Sequence, residues 1–200
     1  MNIAGVVLAG GRSLRMGGKQ KALLPLHGQL MIEHVLARMA GQVRRMAISA
    51  NNDLGAFTRF GLPVLLDPVP GYPGPLAGLL AALHWAAAEQ RLVTHVVTVP
   101  ADTPFVPLDL VNVLRENIGV ADVAIAKSGG RLHHVVGLWP VSIAAALAAR
   151  LELGFDRSVR GFLAGYRVAE VEFAADPQDP FTNINNWDDL ARAEQRAAAA

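Results

Sequence analysis

Short apolar runs alternate along the chain with longer segments in which apolar residues recur at helical spacing. The short runs, which are typical of strands, are Ile3 to Leu8, Met46 to Ser49, Val64 to Leu66, His95 to Val99 and Val123 to Ala126. The segments with helical spacing are Leu30 to Met39, Leu54 to Phe60, Leu76 to Gln90 and Pro107 to Asn117. This alternation predicts a mainly parallel sheet with helices on both faces.

The pattern loosens after Lys127 but continues to the end of the chain. "GLW" ends a predicted strand, "VSIAAALAARL" is a predicted helix, "RVAEVEF" a strand and "WDDLARAEQRAAAA" an amphipathic helix. No repeat or linker divides the chain, which indicates a single domain over residues 1–200. The fold class we expect is α/β, a three-layer Rossmann-like fold with a mainly parallel central sheet.

Composition narrows the range of partners. The chain has 200 residues, of which 52% are apolar, and a formal net charge of +1, so we expect one soluble unit without a basic surface for nucleic acid or a membrane. It has no cysteine, which fits a cytoplasmic enzyme and excludes a thiol nucleophile. The longest apolar stretch, Leu76 to Ala88, is too short to cross a bilayer, and the N-terminus does not resemble a signal peptide.

Polar residues follow the ends of the first four predicted strands. In an open parallel sheet, ligands bind at the carboxyl ends of the strands, so these residues are candidates for one shared crevice. In chain order they are Gly10 and Gly11 with the cationic loop behind them, Asn51 and Asn52, Asp67, and Asp102.

The loop after the first strand combines glycines with cationic side chains. Adjacent glycines such as Gly10 and Gly11 let backbone N–H groups approach phosphate oxygens, and Arg15 and Lys21 can neutralise phosphate charge. The spacing fits neither the P-loop nor the dinucleotide-binding motif. The loop is therefore a candidate phosphate site, and an ordinary glycine turn with solvated cations is the alternative.

Asp102 ends the apolar run "VVTVPAD", and its carboxylate is a hard oxygen ligand suited to Mg²⁺ held jointly with substrate phosphates. A helix cap is the alternative for Asp102, and a turn is the alternative for Asn51 and Asp67. In "GYPGPLAGLLAAL", Gly78 allows a helix N-terminus to approach either a ligand or the sheet.

Neighbouring residues His133 and His134 fall in a predicted strand, where alternation directs them to opposite faces. One of them is placed to reach the crevice, although a hydrogen-bonded structural histidine is the alternative. The chain has no zinc-type histidine spacing and no G-x-S-x-G motif, so neither zinc binding nor acyl hydrolysis is supported.

The string "LAGGRSLRMGGKQKALLPL" resembles the opening motif L-x-G-G-x-x-x-R-M-G-x-x-K of nucleotidyltransferases that use nucleoside triphosphates. Together with "YPGPLAGL", "PADTPFVP" and "NINNWDDL", it is similar to the molybdenum cofactor guanylyltransferase (MobA) family over nearly the whole chain.

This resemblance implies transfer of GMP from Mg-GTP to the terminal phosphate of molybdopterin that carries molybdenum, with release of pyrophosphate. It implies a GTP-binding half over about residues 1–120 and a pterin-binding half over about 121–200. Mg²⁺ is the implied cofactor. We also expect a monomer that makes transient contacts with proteins that insert the molybdenum cofactor.

The resemblance also assigns site residues. The implied catalytic residues are Lys21, Arg15 and Asp102, with Asp102 as the metal ligand. The implied nucleotide contacts are Leu8, Ala9, Gly10, Gly11, Lys21, Asn51, Asp67 and Asp102. The implied pterin contacts are Arg131, His133, Asn183 and Asn185.

The sequence departs from the family pattern where His133-His134-Val135 replaces His-Pro-Thr, and where Ser158 replaces a second arginine. A cytidylyltransferase acting on molybdopterin is the nearest alternative, but its family tends to read L-A-A-G where this chain has Leu8-Ala9-Gly10-Gly11. Another nucleotidyltransferase with a phosphate-monoester acceptor is a second alternative. A regulatory module that binds GTP without transferring it is a third.

Overall fold

The computed structural model of the protein describes residues 1–10, 20–69, 74–88, 93–154, 156–175 and 178–197. The strands are β1 (Ile3–Leu8), β2 (Pro25–Leu26), β3 (Gln29–Leu30), β4 (Met46–Ser49), β5 (Val64–Leu65), β6 (His95–Pro100), β7 (Val123–Ser128), β8 (Arg131–Pro140) and β9 (Val168–Phe173). The helices are α1 (Met31–Ala40), α2 (Leu54–Thr58), α3 (Pro75–Ala88), α4 (Leu110–Asn117), α5 (Ala144–Glu152), α6 (Val159–Leu163) and α7 (Trp187–Ala197). Short 3₁₀ turns occupy Lys21–Leu23 and Val141–Ile143.

A seven-stranded sheet in the order β5-β4-β1-β6-β8-β7-β9 forms the centre of the molecule. The pairs β1–β4, β1–β6, β4–β5 and β7–β9 are parallel, and β8 runs antiparallel to both of its neighbours. The predicted mainly parallel sheet is therefore confirmed. The carboxyl ends of β1, β4, β5, β6, β7 and β9 all lie at one edge, where β8 begins.

Helices cover both faces of this sheet, as the alternation of strands and helices predicts. Alternate residues of β1 face opposite ways: Val7 packs in a cluster with α1, α2 and α4, whereas Ala4 and Val6 pack with α3, α5 and α6. The three-layer α/β class is confirmed. Nearly the whole circumference of α3 is buried, which fits its apolar sequence.

A small hairpin was not predicted, because strands of two residues carry no readable alternation. Strands β2 and β3 pair antiparallel across His27 and Gly28, which have φ values of 51° and 76°. Positive φ at both central residues is the requirement of a two-residue hairpin turn of type I′. The short helix α6 was also missed, and α4 begins three residues later than Pro107, which lies in a preceding turn.

The hairpin and α7 form a third apolar cluster beside the sheet. Leu24, Leu26 and Met31 pack there against Ile184, Leu190 and Ala193. The cluster fixes the chain that leads into α7, which begins next to the sheet edge described below. None of the helices in the described part of the chain is both long and apolar enough to span a membrane.

Candidate active site

Strand register aligns the polar residues that follow the strands. Leu8 pairs in register with Ser49 and Pro100, and Ser49 pairs with Leu65. The residue two positions beyond each of these four is a predicted site residue. In sheet order they are Asp67, Asn51, Gly10 and Asp102. The structure thus brings these residues to neighbouring positions at one edge, because parallel pairing keeps their strands in step.

An ion pair links the turn after β1 to the turn after β6. Nζ of Lys21 lies 2.5 Å from Oδ2 of Asp102, and the two side chains are 20% and 18% exposed. Lys21 belongs to the 3₁₀ turn that follows the glycine loop, and Asp102 follows β6 directly. A cation and an anion are therefore held in contact at the sheet edge, partly shielded from water.

Two asparagines from the approach to α7 complete this cluster. Asn183 donates from Nδ2 to Oδ1 of Asp102 at 3.1 Å, and Lys21 donates to Oδ1 of Asn185 at 2.8 Å. Between them, the backbone N–H of Ile184 donates to the carbonyl of Asp102 at 2.9 Å. Residues from the predicted GTP-binding half and the predicted pterin-binding half therefore meet around one ion pair.

The start of α7 fixes the position of Asn185. Asn186 accepts from the backbone N–H of Asp189, and Asp189 accepts in turn from the backbone N–H of Asn185, both at 2.8 Å. This reciprocal pattern is close to a capping box. Asp189 was not predicted as part of the site, although an asparagine followed three residues later by an acid is a readable helix-start signal.

Asn51 and Asp67 form a second pair at the same edge. Asn51 donates from Nδ2 to Oδ2 of Asp67 at 2.6 Å and accepts from the backbone N–H of Asp67 at 2.9 Å. Burial raises the pKa of Asp67 above its ordinary value, and the hydrogen bond from Asn51 opposes this rise. A Cβ on Gly10 would lie 3.3 Å from Nδ2 of Asn51, so glycine leaves room for this side chain.

The helix α3 approaches the sheet closely at Gly78. A Cβ there would lie 3.0 Å from Oγ of Ser49 and 3.2 Å from Cδ2 of Leu8. Of the two explanations open for this glycine, packing of the helix against the sheet is the one these contacts support.

The remaining predicted contacts lie around the β7–β8 hairpin. Arg131 is exposed where β8 begins. His133 is 8% exposed, and its Nε2 lies 2.7 Å from Oγ of Ser128. Burial lowers the pKa of His133, because the charged imidazole is poorly solvated there. A direct contact between His133 and substrate stays a prediction.

Two predicted residues, Gly11 and Arg15, lie outside the described residues. Leu8 and Ala9 are held in place by backbone hydrogen bonds: Ala101 donates to Leu8, and Ala9 donates to Ser49. Ser128 and Asp179, which bond each other near His133, were not predicted. Single serine and aspartate residues give no recognisable motif, so only the folded chain reveals this contact.

This α/β fold, with charged and amide side chains at the carboxyl edge of its sheet, fits a nucleotidyltransferase. A family model described as "MobA-like NTP transferase domain" matches residues 5–171. The chain belongs to this family.

Individual relatives agree with this result. The chain is 42% identical over 198 residues to a molybdenum cofactor guanylyltransferase from Bradyrhizobium sp. (strain ORS 278), covering 98% of this chain and 93% of the relative. It is 47% identical over 194 residues to a protein of the same name from Cereibacter sphaeroides (strain ATCC 17023), covering 97% and 96%.

A solved structure supports the fold assignment. The molybdopterin-guanine dinucleotide biosynthesis protein A from Archaeoglobus fulgidus is similar with a TM-score of 0.78 and 24% identity, covering 98% of this chain and all of that one. At this identity the likeness concerns the fold alone.

Proposed function

We propose that the protein transfers GMP from GTP to the terminal phosphate of molybdopterin carrying molybdenum. An oxygen of the acceptor phosphate attacks the α-phosphorus of GTP, and a new P–O bond forms there. The bond between the α-phosphorus and the bridging oxygen breaks, and pyrophosphate leaves with its electron pair. The products are a dinucleotide joined through a diphosphate and free pyrophosphate.

The observation that carries this proposal is the cluster of Lys21, Asp102, Asn183 and Asn185. Its contacts of 2.5 to 3.1 Å join the turns after β1 and β6 to the segment before α7. In-line transfer between two phosphate groups needs no enzyme nucleophile, and catalysis comes from positioning and charge stabilisation. An ammonium group held beside a carboxylate, each hydrogen-bonded to an asparagine side chain, is suited to positioning phosphates and stabilising their charge. The curated relatives described above carry the corresponding activity in their names.

The nucleotide half of the proposal rests on the sheet edge. We assign Leu8, Ala9, Gly10 and Gly11 to the guanine and the phosphates, and Asn51 with Asp67 to the nucleoside. Lys21 and Arg15 draw negative charge from the transferring and leaving phosphates. Lys21 is already held in an ion pair with Asp102, and phosphate oxygens of the substrate can replace the carboxylate as its partner.

The chemistry of the residues around Asp102 fits a divalent cation, for which Mg²⁺ is our proposal. Asp102 offers a carboxylate that already attracts a cation, and asparagine amide oxygens lie nearby. Among the described residues no group of three His, Asp or Glu could form a metal cage alone. Mg²⁺ commonly takes one or two carboxylates and completes its shell with water and substrate phosphates. When bound, the ion would supply charge neutralisation at the phosphates.

On the acceptor side, Arg131, Asn183 and Asn185 are our candidates for contacts with the pterin phosphate and ring. The two asparagines are supported by their contacts with Asp102 and Lys21. Arg131 is supported by its exposure at the same sheet edge and by its constant positive charge. His133 is retained as a candidate with its imidazole largely buried.

The direct test is to incubate the protein with Mg²⁺, GTP and molybdopterin carrying molybdenum, and to detect the dinucleotide by mass and pyrophosphate by a coupled assay. We expect both products in equal amounts. GTP binding without pyrophosphate release on addition of acceptor would contradict the proposal and identify a regulatory module.

The choice of base is tested by competition between GTP and CTP in the same assay. We expect the guanine dinucleotide to form in excess when both nucleotides are supplied. A preference for CTP would overturn the guanine assignment and leave nucleotidyl transfer in place.

We also propose that the protein acts as a monomer, with transient contacts to the proteins that insert the finished cofactor. Light scattering of the purified protein with and without GTP tests the first part. A stable dimer under both conditions would contradict it.

A further inference from the structure

Residues 179–185, which we term the 179–185 segment, connect the β7–β8 hairpin to the proposed active site. At one end, Asp179 and Phe181 contact residues of the hairpin. At the other end, Asn183 and Asn185 contact Asp102 and Lys21. The segment therefore carries two of the site's side chains from a point of attachment outside the site.

The attachment at Asp179 is a chain of hydrogen bonds in which the serine and the histidine are buried and the carboxylate is 33% exposed. The hydroxyl of Ser128 donates to Oδ1 of Asp179 at 2.7 Å, and Nε2 of His133 lies 2.7 Å from the same hydroxyl. A serine hydroxyl has one proton, which here goes to the carboxylate, so His133 must donate from Nε2. Ser128 is 1% exposed and His133 is 8% exposed, so water does not readily replace either partner.

The same carboxylate also fixes the backbone that follows it. The backbone N–H of Phe181 donates to Oδ1 of Asp179 at 2.8 Å. The ring of Phe181 is buried, and its centroid lies 4.8 Å from that of His133 and 5.1 Å from that of Phe173. His133 therefore holds the segment twice, through Ser128 and through the Phe181 ring.

The opposite end of the segment has little freedom to correct a shift. Ile184 is fully buried in the cluster of the β2–β3 hairpin and α7, and its N–H donates to the Asp102 carbonyl. A displacement at Asp179 must then be absorbed over the few residues that include Asn183. We therefore expect the distance from Asn183 to Asp102 to change first.

We propose that Ser128, His133 and Asp179 are positioning residues, which set the reach of Asn183 to Asp102. This inference rests on the proposed function, since it concerns the geometry of the same site. It assigns His133 a role through the segment it holds, which is separate from the substrate contact proposed for it above.

Ser128→Ala tests the inference, with Thr98→Val as the matched control. Thr98 is also 1% exposed, and its hydroxyl likewise accepts one bond, from Trp139, and donates one, to the Val135 carbonyl. Both variants therefore remove a buried hydroxyl with two hydrogen bonds from the same sheet. Neither of these hydrogen bonds of Thr98 involves the 179–185 segment.

We expect Ser128→Ala to lower kcat for GMP transfer about 10- to 100-fold, because small misplacements of positioning groups have effects of this size. KM for GTP should change less than about threefold, since the nucleotide-binding turns are untouched. Thr98→Val should keep kcat within about threefold at a similar loss of melting temperature. Equal kcat in the two variants, or a rise in KM with unchanged kcat, would overturn the inference.

Hydrogen exchange followed by mass spectrometry gives a readout that needs no activity. We expect peptides covering the 179–185 segment to exchange about tenfold faster in Ser128→Ala and unchanged in Thr98→Val. Unchanged exchange in Ser128→Ala would overturn the inference whatever the kinetics. If the wild type transfers no GMP, the proposed function fails, and the exchange comparison alone decides whether this network holds the segment.

A pair of substitutions at His133 covers the case in which Ser128→Ala does not fold. His133→Gln keeps an N–H near the position of Nε2, whereas His133→Leu removes it. We expect kcat of the glutamine variant to exceed that of the leucine variant by about tenfold, by the same positioning argument. Equal values would show that the hydrogen bond to Ser128 does not act on the site.

Discussion

The ammonium group of Lys21 lies 2.5 Å from Oδ2 of Asp102, which joins the turn after β1 to the turn after β6. Each member of the pair also binds an asparagine, Asn185 or Asn183. We expect a metal-bound triphosphate to exchange with this pair, phosphate oxygens taking the ammonium and the cation taking the carboxylate. A partly buried charge without a partner would be destabilising, and this exchange gives both Lys21 and Asp102 a new partner.

Replacement of Lys21 tests the cationic half of this exchange. We expect Lys21→Ala to lower turnover at least about 100-fold, the size of effect seen when a group that stabilises transition-state charge is removed. Lys127→Ala is the matched control, because Lys127 pairs at 3.0 Å with Glu170 on the neighbouring strand. Single-turnover GMP transfer measures both. A rate near that of the wild type in Lys21→Ala would contradict the assignment.

Replacement of Asp102 tests the anionic half. Asp102→Asn keeps the size of the side chain and removes the charge that attracts Lys21 and the proposed metal ion. We expect turnover to fall at least about 100-fold and the metal concentration for half-maximal rate to rise, because a carboxylate oxygen is lost. Titration with Mg²⁺ or Mn²⁺ measures this. An unchanged metal dependence would show that the ion is held elsewhere.

We expect the ion pair between Asp122 and Arg167 to make the free energy of unfolding depend on pH in acid. The guanidinium donates at 2.8 and 3.1 Å to the two carboxylate oxygens, and the pKa of Asp122 falls to about 2. A lowered folded-state pKa contributes stability above the unfolded value of 3.8, which is lost as pH falls towards about 2. We expect urea unfolding of the wild type to lose stability faster than that of Asp122→Asn over this range.

Added salt provides the control for that measurement. Arg167 is 69% exposed and Asp122 is 34% exposed, so the difference between the two proteins should be small and should shrink at high ionic strength. Parallel curves of stability against pH would rule out a contribution from this pair.

Much of the fold could be predicted because the sheet is buried on both faces. Strands such as His95–Pro100 then read as mainly apolar runs, and the helices between them keep a helical period. The β2–β3 hairpin was not predicted, because its pairing depends on the turn at His27 and Gly28 rather than on an alternation of apolar and polar residues. Local pattern determines an element only when the element is long enough to show a period.

The site residues also fall into those that the sequence predicts and those that only the folded chain shows. Gly10, Asn51, Asp67 and Asp102 could be predicted as neighbours, since each follows a strand and parallel strands end together. The contact between Ser128 and Asp179 could not, because it joins residues far apart in the chain whose types are common in any turn. The bond of Asn183 to Asp102 and the bond of Asn185 to Lys21 likewise join residues far apart in the chain, 81 and 164 positions, and only the folded chain shows them.

The close packing of α3 against the ends of β1 and β4 at Gly78 makes a prediction about the free energy of unfolding. A Cβ there would meet Ser49 at 3.0 Å and Leu8 at 3.2 Å, so we expect Gly78→Ala to lower the free energy of unfolding by roughly 1–3 kcal/mol. Gly55→Ala is the control, because Gly55 lies in α2 with nothing within 4 Å of the added Cβ. That change should stabilise the protein by roughly 0.4–1 kcal/mol, since alanine restricts the unfolded chain.

A second substitution separates the two contacts made by the added methyl group. In a Ser49→Ala background the oxygen at 3.0 Å is gone, whereas the Leu8 methyl at 3.2 Å remains. Gly78→Ala should then cost less than it does in the wild type, because residues in contact are not additive. Urea unfolding of the four proteins measures this coupling. Full additivity would mean that Leu8 alone sets the cost, and the helix would then be held against β1 rather than β4.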